Sequence, residues 1–199
     1  CKSPKSTNAW DSAYNDLYEY QDLNEKLFHY NQICAGVWDV GGKYGAINSP
    51  RQFYSVFKTS KEDTEIKAQS KKEQDKLIIA LFKKEKVLDL IRHFVLFELE
   101  EGRTIKKLPR YQQIRATITR LQAGEGGVVW HTQGSGKSLT MAFVTRKLQA
   151  PEFGFDNPTV MIMTDRKDLD RQITTTFQNV GFKNVNQASS VVHLDKLLR

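Results

Sequence analysis

One stretch near the middle of the chain combines glycines, a lysine and a serine at a spacing that can hold phosphate groups. Residues 126–138 have the sequence Gly-Gly-Val-Val-Trp-His-Thr-Gln-Gly-Ser-Gly-Lys-Ser. Glycines let backbone N–H groups approach phosphate oxygens, and a helix beginning at the loop directs its positive end at the same anion. Lys137 is placed to reach the β- and γ-phosphates of ATP, and the Ser138 hydroxyl to ligate Mg²⁺. The candidate nucleotide-binding residues are Thr132, Gln133, Gly134, Ser135, Gly136, Lys137 and Ser138.

The segments on either side of this loop favour a phosphate-binding function over an ordinary surface turn, which is the alternative for Gly-Ser-Gly-Lys-Ser. Residues 126–130 are predicted as a short buried strand, and residues 139–148 carry apolar side chains at mostly helical spacing. The phosphate-loop pattern calls for a glycine five residues before Gly136, where this chain has His131. We interpret His131 as a loop-packing residue and not as a catalyst.

Composition places the chain among globular proteins that could bind nucleic acid. With 199 residues it has room for one domain or two small ones, and 39% hydrophobic residues suffice for a core. The net charge of +7 favours an acidic partner, nucleic acid first, although solubility alone is an alternative explanation. Cys1 and Cys34 lack metal-site spacing, which favours a reduced cytosol. No run of 18 apolar residues exists, so we expect no membrane span and a cytoplasmic location.

The first part of the chain is predicted to be mixed α/β. Periodicity indicates a helix after Asn8, a hairpin and a second short helix, at residues 9–28, 33–47 and 49–58. The turn of the hairpin is assigned to the paired glycines Gly41-Gly42. The opening Cys-Lys-Ser-Pro-Lys has no initiator methionine, and both chain ends are expected to have been cut from something longer.

A polar segment and two helices are predicted next. Residues 58–76 are almost all charged or polar and mark the best domain boundary in the chain. Helices are predicted at residues 77–82 and 87–97, and residues 98–107 form another charged stretch.

The last part of the chain is predicted to alternate strands with helices. Residues 159–163 form a continuous apolar run, typical of a parallel strand buried on both faces, and Val185 is assigned to a further short strand. The predicted helices are residues 110–121, 139–148, 169–177 and 191–198, with Ser189-Ser190 capping the last. Strands alternating with helices favour a parallel sheet with right-handed crossovers.

Three of these stretches together resemble one family, the restriction (R) subunit of type I restriction–modification enzymes. Residues 130–141 resemble its phosphate loop, in which the first glycine is often replaced as it is here by His131. Residues 110–116 are similar to the adenine-recognising Gln motif, in which Gln113 would contact the adenine, and residues 164–172 resemble the motor motif that follows the phosphate loop.

That next motor motif lies near the DNA track in this family. The resemblance therefore offers Arg166, Lys167 and Arg171 as DNA-binding candidates, the alternative being a solvated helix face.

The start of the chain resembles the second component of these subunits, a nuclease of the PD-(D/E)xK fold. Cys1-Lys2-Ser3-Pro4 is similar to the tail of the Glu-x-Lys signature, which would make Lys2 the catalytic lysine that orients or activates the attacking water. The glutamate partner would precede Cys1, and the upstream aspartate is also missing. Tyr20 matches the tyrosine of a Gln-x-x-x-Tyr pattern, but Asp16 stands in the glutamine position. Taken alone, Lys2 is an ordinary surface lysine.

The resemblance implies a fragment with three parts. Residues 1–58 would be the C-terminal part of a restriction-nuclease-like α/β domain, and residues 59–107 a charged, helical connector. Residues 108–199 would begin a P-loop RecA-like motor domain with a parallel sheet.

The resemblance also implies an activity for the parent protein, which is ATP-dependent translocation on duplex DNA followed by cleavage. ATP and Mg²⁺ would be its cofactors, Lys137 would assist hydrolysis, and separate specificity and methylation subunits would complete the complex. No Asp-Glu pair follows an apolar run after residue 163, so we expect the fragment itself to be inactive.

Three alternatives stay open at this point. The chain could come from another superfamily 2 helicase or nucleic-acid ATPase without nuclease activity. It could instead belong to a P-loop kinase or other small-molecule enzyme, which the Gln113 and Asp165-Arg166 stretches disfavour. The piece itself could be a structural module whose phosphate loop stays empty.

Overall fold

The structure, a computed structural model, divides the chain into two compact units. It describes residues 8–59, 63–124 and 126–198, so Lys2 and its neighbours lie outside the described residues. The first unit comprises residues 1–96 and 106–116, and the second comprises residues 97–105 and 117–199. The three domains predicted from the sequence remain predictions. None of the described helices is long and apolar enough to cross a membrane.

The predicted first helix is present but broken near its end. Helix α1 spans Ala9–Leu23 and a short α2 spans Glu25–Phe28, because the backbone of Asn24 leaves the helical region at φ −132° and ψ 50°. Asn8 precedes α1 as predicted, but its side chain makes no capping hydrogen bond. Tyr20 and Leu27 are 51% and 73% exposed.

Three antiparallel strands pack against α1. They are β1 (Cys34–Trp38), β2 (Gly41–Gly45) and β3 (Ser55–Val56), in the order β1-β2-β3. Trp38 pairs with Gly41, so the turn falls at Asp39 and Val40 and the prediction of a Gly41-Gly42 turn is wrong. A Cβ atom on Gly41 would lie 2.7 Å from the Trp38 indole, so the strand needs glycine there for close approach.

Residues 49–58 do not form the predicted helix. A single 3₁₀ turn covers Arg51–Phe53, and the chain then extends into β3, which pairs with β2 through Val56 and Lys43. Tyr54 lies between the 3₁₀ turn and β3. It is buried because the extended backbone turns its ring toward that of Trp10, at a centroid distance of 5.3 Å.

An aromatic cluster and one buried hydrogen bond join the parts of the first unit. Trp10 also packs against Tyr14 and Trp38, with ring centroids 5.8 and 6.1 Å away. Tyr44 is only 1% exposed, and its hydroxyl donates to the carbonyl oxygen of Pro109 at 2.7 Å. That bond attaches residues 106–116 to the central strand of the sheet.

The connector is helical only in part. Its helices are α3 (Thr64–Gln69), α4 (Glu73–Phe82) and α5 (Lys84–Asp89), followed by a π-helical turn at Leu90–Phe94. The chain then forms a two-stranded hairpin of β4 (Leu96–Glu100) and β5 (Arg103–Lys107). The helix predicted at residues 87–97 therefore ends at Phe94, and the charged stretch at residues 98–107 belongs to this hairpin. The turn signal is Glu101-Gly102, where both residues have left-handed backbones, at φ 48° and 77°.

The polar segment that we took for a boundary is attached to the helix that follows the hairpin, α6 (Tyr111–Ala123). Arg115 of α6 donates to the carbonyl oxygen of Lys58 at 2.5 Å and forms an ion pair with Asp63. Its guanidinium also lies over the rings of Phe57 and Tyr111, at 5.7 and 5.3 Å.

The helices predicted in the second unit are confirmed, whereas its predicted strands are wrong. The helices are α7 (Lys137–Leu148), α8 (Lys167–Asn179) and α9 (Val191–Leu198), and the N–H of His193 donates to Ser190 Oγ at 3.1 Å as a cap. Residues 126–130 and 159–163 and Val185 form no strand. A strand needs a paired neighbour, and in the described part of the chain these apolar runs have none. The described fold is mixed α/β with small antiparallel sheets, without the predicted parallel sheet.

We predict that Tyr44→Phe destabilises the chain by about 1–3 kcal/mol, because the buried carbonyl oxygen of Pro109 loses its donor. Urea denaturation monitored by tryptophan fluorescence measures this change. Tyr20→Phe, at an exposed position, is the matched control and should leave the free energy of unfolding unchanged. Equal stabilities of the Tyr44 and Tyr20 variants would contradict the assignment.

The same variant should change how stability depends on pH. Burial raises the pKa of Tyr44, against a smaller lowering by Arg110, so the folded chain keeps a proton that the unfolded chain loses. The contribution of Tyr44 to the free energy of unfolding is fully present below pH 10, which is about the pKa of tyrosine in the unfolded chain. This contribution is lost as the pH rises above that value. Tyr44→Phe should therefore show a shallower alkaline loss of stability than the parent chain.

Candidate nucleotide-binding site

Two glycines give the candidate loop its shape. Gly134 and Gly136 have left-handed backbones at φ 73° and 79°, and α7 begins at Lys137, directly after the second glycine. The left-handed conformation costs residues with a Cβ atom about 1–2 kcal/mol, so glycine is the residue that fits both positions. The loop therefore delivers the chain straight into the first turn of a helix.

Hydrogen bonds inside the loop hold it as a tight turn. The backbone N–H and the hydroxyl of Ser135 both donate to the carbonyl oxygen of Thr132, at 3.3 and 2.7 Å. The backbone N–H and the hydroxyl of Thr140 both donate to the carbonyl oxygen of Gly136, at 3.0 and 3.1 Å. Ser135 is buried, whereas Thr132, Gln133 and Gly134 are exposed. The outer side of the turn is thus open while its inner side is fixed by the chain itself.

The ammonium group of Lys137 lies across this turn. Its Nζ donates to the carbonyl oxygens of Thr132 and His131, at 3.0 and 3.3 Å. The side chain is exposed, so these bonds to neutral acceptors are easily exchanged. A phosphate oxygen carries more charge than a carbonyl oxygen and would form a stronger bond with the same ammonium.

Ser138 follows in the first turn of α7 and is half-buried. The first N–H groups of a helix have no partner within the helix and point toward its start, where an anion is favoured. A hydroxyl oxygen is a suitable ligand for Mg²⁺, which usually takes its remaining ligands from phosphates and water. The donors present at residues 132–138 therefore fit a magnesium-bound triphosphate.

Gln113 has a structural role that the sequence did not predict. Gln113 is 3% exposed, and its side-chain Oε1 accepts a hydrogen bond from the backbone N–H of Arg110 at 2.7 Å. The backbone N–H of Gln113 donates in return to the carbonyl oxygen of Arg110 at 2.9 Å. This reciprocal pair closes the start of α6 in the manner of a capping box. The usual serine or threonine of that motif is replaced by Arg110, so the pattern is hidden in the sequence. Gln113 lies in the first unit and the loop in the second, and its adenine-binding role remains a prediction.

The three candidate DNA-binding residues lie at the start of α8. Arg166, Lys167 and Arg171 are all exposed, while the buried side of the helix carries Ile173 and Phe177. Lys167 and Arg171 are four residues apart and so share one side of the helix. This arrangement is compatible both with phosphate contacts and with a solvated helix face, so the DNA-binding role stays a prediction.

Of the two nuclease candidates, the structure describes Tyr20 alone, and the roles of both stay predictions. Lys2 lies outside the described residues. Tyr20 is on α1 with an exposed ring, and Asp16 lies one turn before it and is half-buried. The two residues therefore occupy the helix spacing of the Gln-x-x-x-Tyr pattern, with the aspartate in place of glutamine.

Two kinds of comparison with known proteins identify relatives of the chain. A family described as SWI2/SNF2 ATPase matches residues 109–199, which include the phosphate loop. The type I restriction enzyme HindI endonuclease subunit of Haemophilus influenzae is 37% identical over 84% of this chain and 17% of its own length. No solved structure shows significant similarity.

Two further relatives come from Methanocaldococcus jannaschii. The putative type I restriction enzyme MjaVIIIP endonuclease subunit is 31% identical over 88% of this chain and 18% of its own length. The putative MjaIXP endonuclease subunit is 29% identical over the whole chain and 21% of its own length. The chain thus spans about a fifth of the curated relatives it matches. The resemblance predicted from the motifs is confirmed.

We predict that Gln113→Ala lowers the free energy of unfolding by about 1 kcal/mol, because α6 loses the side chain that closes its start. Thermal denaturation followed by circular dichroism measures the loss. Gln133→Ala is the matched control, since Gln133 is exposed in the loop and should leave the melting temperature unchanged. Identical melting curves for both variants would show that the capping bond contributes nothing.

Proposed function

Because the chain is related to the endonuclease (R) subunits of type I restriction enzymes, we propose that it carries the ATP-binding loop of a motor that moves on duplex DNA. The observation that supports this most directly is the loop itself. Left-handed Gly134 and Gly136 lead into α7, and the ammonium of Lys137 lies over the turn. The SWI2/SNF2 ATPase match covers the same residues and supports an ATP-dependent reaction.

Each part of the loop has a separate task in this proposal. Backbone N–H groups of the turn and of the first residues of α7 would bind phosphate oxygens. Lys137 would exchange its carbonyl acceptors for the β- and γ-phosphates and stabilise the negative charge that develops during hydrolysis. Ser138 would hold Mg²⁺, which when bound neutralises charge on the same phosphates. The resemblance to the adenine-recognising Gln motif would give Gln113 the task of recognising adenine.

Movement on DNA requires contacts that do not depend on base sequence. Arg166, Lys167 and Arg171 are exposed cations that could bind phosphates of duplex DNA in this way. Such binding releases counterions, so its affinity would fall steeply as salt is added. The net charge of +7 supports the same choice of partner.

The nuclease function belongs to the whole parent protein in this proposal. Lys2 would assist the attacking water, Tyr20 would lie on the adjacent helix, and two carboxylates of the parent protein would hold the metal. The parent would assemble with specificity and methylation subunits in a cytoplasmic restriction–modification complex. The relatives are named endonuclease subunits, which supports this assignment.

A second candidate is a nucleic-acid ATPase without nuclease activity. It is favoured by the SWI2/SNF2 match, which is confined to residues 109–199 and describes only an ATPase. DNA cleavage by the parent protein distinguishes the two, because only the restriction subunit would cut DNA in addition to hydrolysing ATP.

We predict that ATP hydrolysis by the longer parent protein is stimulated by duplex DNA and falls about 100-fold or more in Lys137→Ala, since the variant loses a charge aimed at the transition state. Release of inorganic phosphate, with and without DNA, is the measurement. Lys183→Ala is the matched control, an exposed lysine outside the loop in the same unit. The chain alone should hydrolyse ATP slowly, because it contains no second acidic motif after residue 163.

Equal rates of ATP hydrolysis with and without duplex DNA would contradict a motor function and favour a small-molecule P-loop enzyme. Equal rates of ATP hydrolysis by the Lys137 and Lys183 variants would show that Lys137 does not contribute to the reaction.

A further inference from the structure

A groove on the first unit is lined by none of the residues assigned to ATP or DNA. It has a volume of about 570 Å³ and runs between α1 and the segment that follows β2. We call it the tyrosine groove; it is lined by Tyr14, Asn15, Tyr18, Glu19, Asn48 and Pro50. Asp16 and Tyr20, the nuclease-pattern residues, do not line it.

One wall of the tyrosine groove is a pair of aromatic rings. Tyr14 and Tyr18 are one helical turn apart, with ring centroids separated by 6.1 Å. Tyr14 is fixed from behind, because its ring meets that of Tyr54 edge-on at 5.5 Å. Tyr18 is 60% exposed. The fixed Tyr14 ring and the exposed Tyr18 ring together form a surface on which a planar group can stack.

The opposite wall is held in place by a buried glutamine. Asn48 has a left-handed backbone at φ 56°, and its N–H donates to Gln21 Oε1 at 2.6 Å. Gln21 is buried and also donates to the carbonyl oxygen of Leu17 at 2.7 Å. The distance between helix and loop is therefore set by the chain itself, which preserves the groove.

The charged residue that lines the tyrosine groove is Glu19, whose carboxylate is opposite in sign to the net charge of the chain. Helix α1 contains four carboxylates and no lysine or arginine, but only Glu19 lines the groove, and Asp11 forms an ion pair with Arg51. Within the described residues, no cation pairs with Glu19, which is exposed at the groove. Phosphates of a nucleic acid would be repelled here, whereas a cationic group would be attracted. The carboxylates are those of Asp11, Asp16, Glu19 and Asp22.

We propose that the tyrosine groove binds an arginine side chain from a basic segment of a partner protein. A guanidinium is planar, so it can stack on the Tyr14 and Tyr18 rings while donating hydrogen bonds to Glu19. The amide oxygens of Asn15 and Asn48 supply further acceptors for its N–H groups. This function is separate from ATP hydrolysis and does not depend on it.

Helix α1 and the residues that follow it expose several large side chains, as protein interfaces do. Large side chains are exposed along the same stretch of chain, and tyrosine is among the residues that contribute most to binding at protein interfaces. These residues are Tyr18, Tyr20, Leu23, Leu27 and Tyr30, which are 51–89% exposed. A basic segment anchored by an arginine in the groove could cover part of this surface.

A labelled peptide of alternating arginine and glycine tests the proposal on the full chain. We expect saturable binding by fluorescence anisotropy, weakened about five-fold or more by Tyr18→Ala and by Glu19→Gln, as loss of a cation–π contact or a paired charge implies. Tyr18→Phe should retain most of the affinity because its ring can still stack. Phe155→Ala and Glu85→Gln are matched controls, being exposed residues that neither line the groove nor belong to the exposed stretch 18–30, and should bind as the parent chain does.

Other outcomes would overturn the proposal. Absence of peptide binding, or equal affinity in groove and control variants, would show that the groove does not bind arginine. Competition by a thymidine oligonucleotide that is itself lost in Tyr18→Ala would assign the groove to nucleic acid instead. Circular dichroism of each variant establishes that the fold is intact, which the exposure of Tyr18 and Glu19 favours.

Discussion

The left-handed turn at Gly134 and Gly136 is the constraint on which the proposed chemistry depends. These two residues reverse the chain so that α7 starts at Lys137, and the bonds from Ser135 and Thr140 keep the turn closed. The arrangement is built before any ligand arrives, so binding a triphosphate would cost little ordering of the backbone. Lys137 is the part that has to move, and its present acceptors are neutral carbonyl oxygens.

A different constraint organises the first unit. The aromatic cluster around Trp10 joins α1 to the sheet, and the Tyr44 hydroxyl joins the sheet to Pro109. Pro109 directly precedes the segment in which Gln113 closes α6. A residue expected to recognise adenine is thus also part of the local architecture. Loss of activity in a Gln113 variant would therefore need a stability measurement beside it before it could be assigned to nucleotide binding.

Local patterns could be predicted from the sequence, whereas long-range pairing could not. Helices α1, α6, α8 and α9 follow from apolar residues at helical spacing, which is a property of a single segment. Gly41 was misassigned to a turn because its real role depends on the indole of Trp38 across the strand pair. The apolar runs at 126–130 and 159–163 have the composition of strands, but a strand exists only beside another strand.

In the candidate site, too, local features could be predicted from the sequence and long-range contacts could not. The residue types and spacing of 132–138 pointed to phosphate from the sequence alone, since each feature of the loop is local. The capping role of Gln113 was missed because the residue directly before the helix is Arg110 and not serine or threonine. The tyrosine groove could not be predicted either, since Tyr14 and Asn48 are brought together only by the packing of α1 against the segment after β2.

In the proposed function, the backbone of residues 132–138 binds the phosphates of ATP. Amide chemical shifts of the ¹⁵N-labelled chain, recorded while Mg²⁺–ATP is added, test it most directly. We expect the largest changes at the amides of Gly134, Gly136, Lys137 and Ser138, with the same changes produced by inorganic triphosphate. Unchanged loop amides, or changes confined to other parts of the chain, would contradict the account.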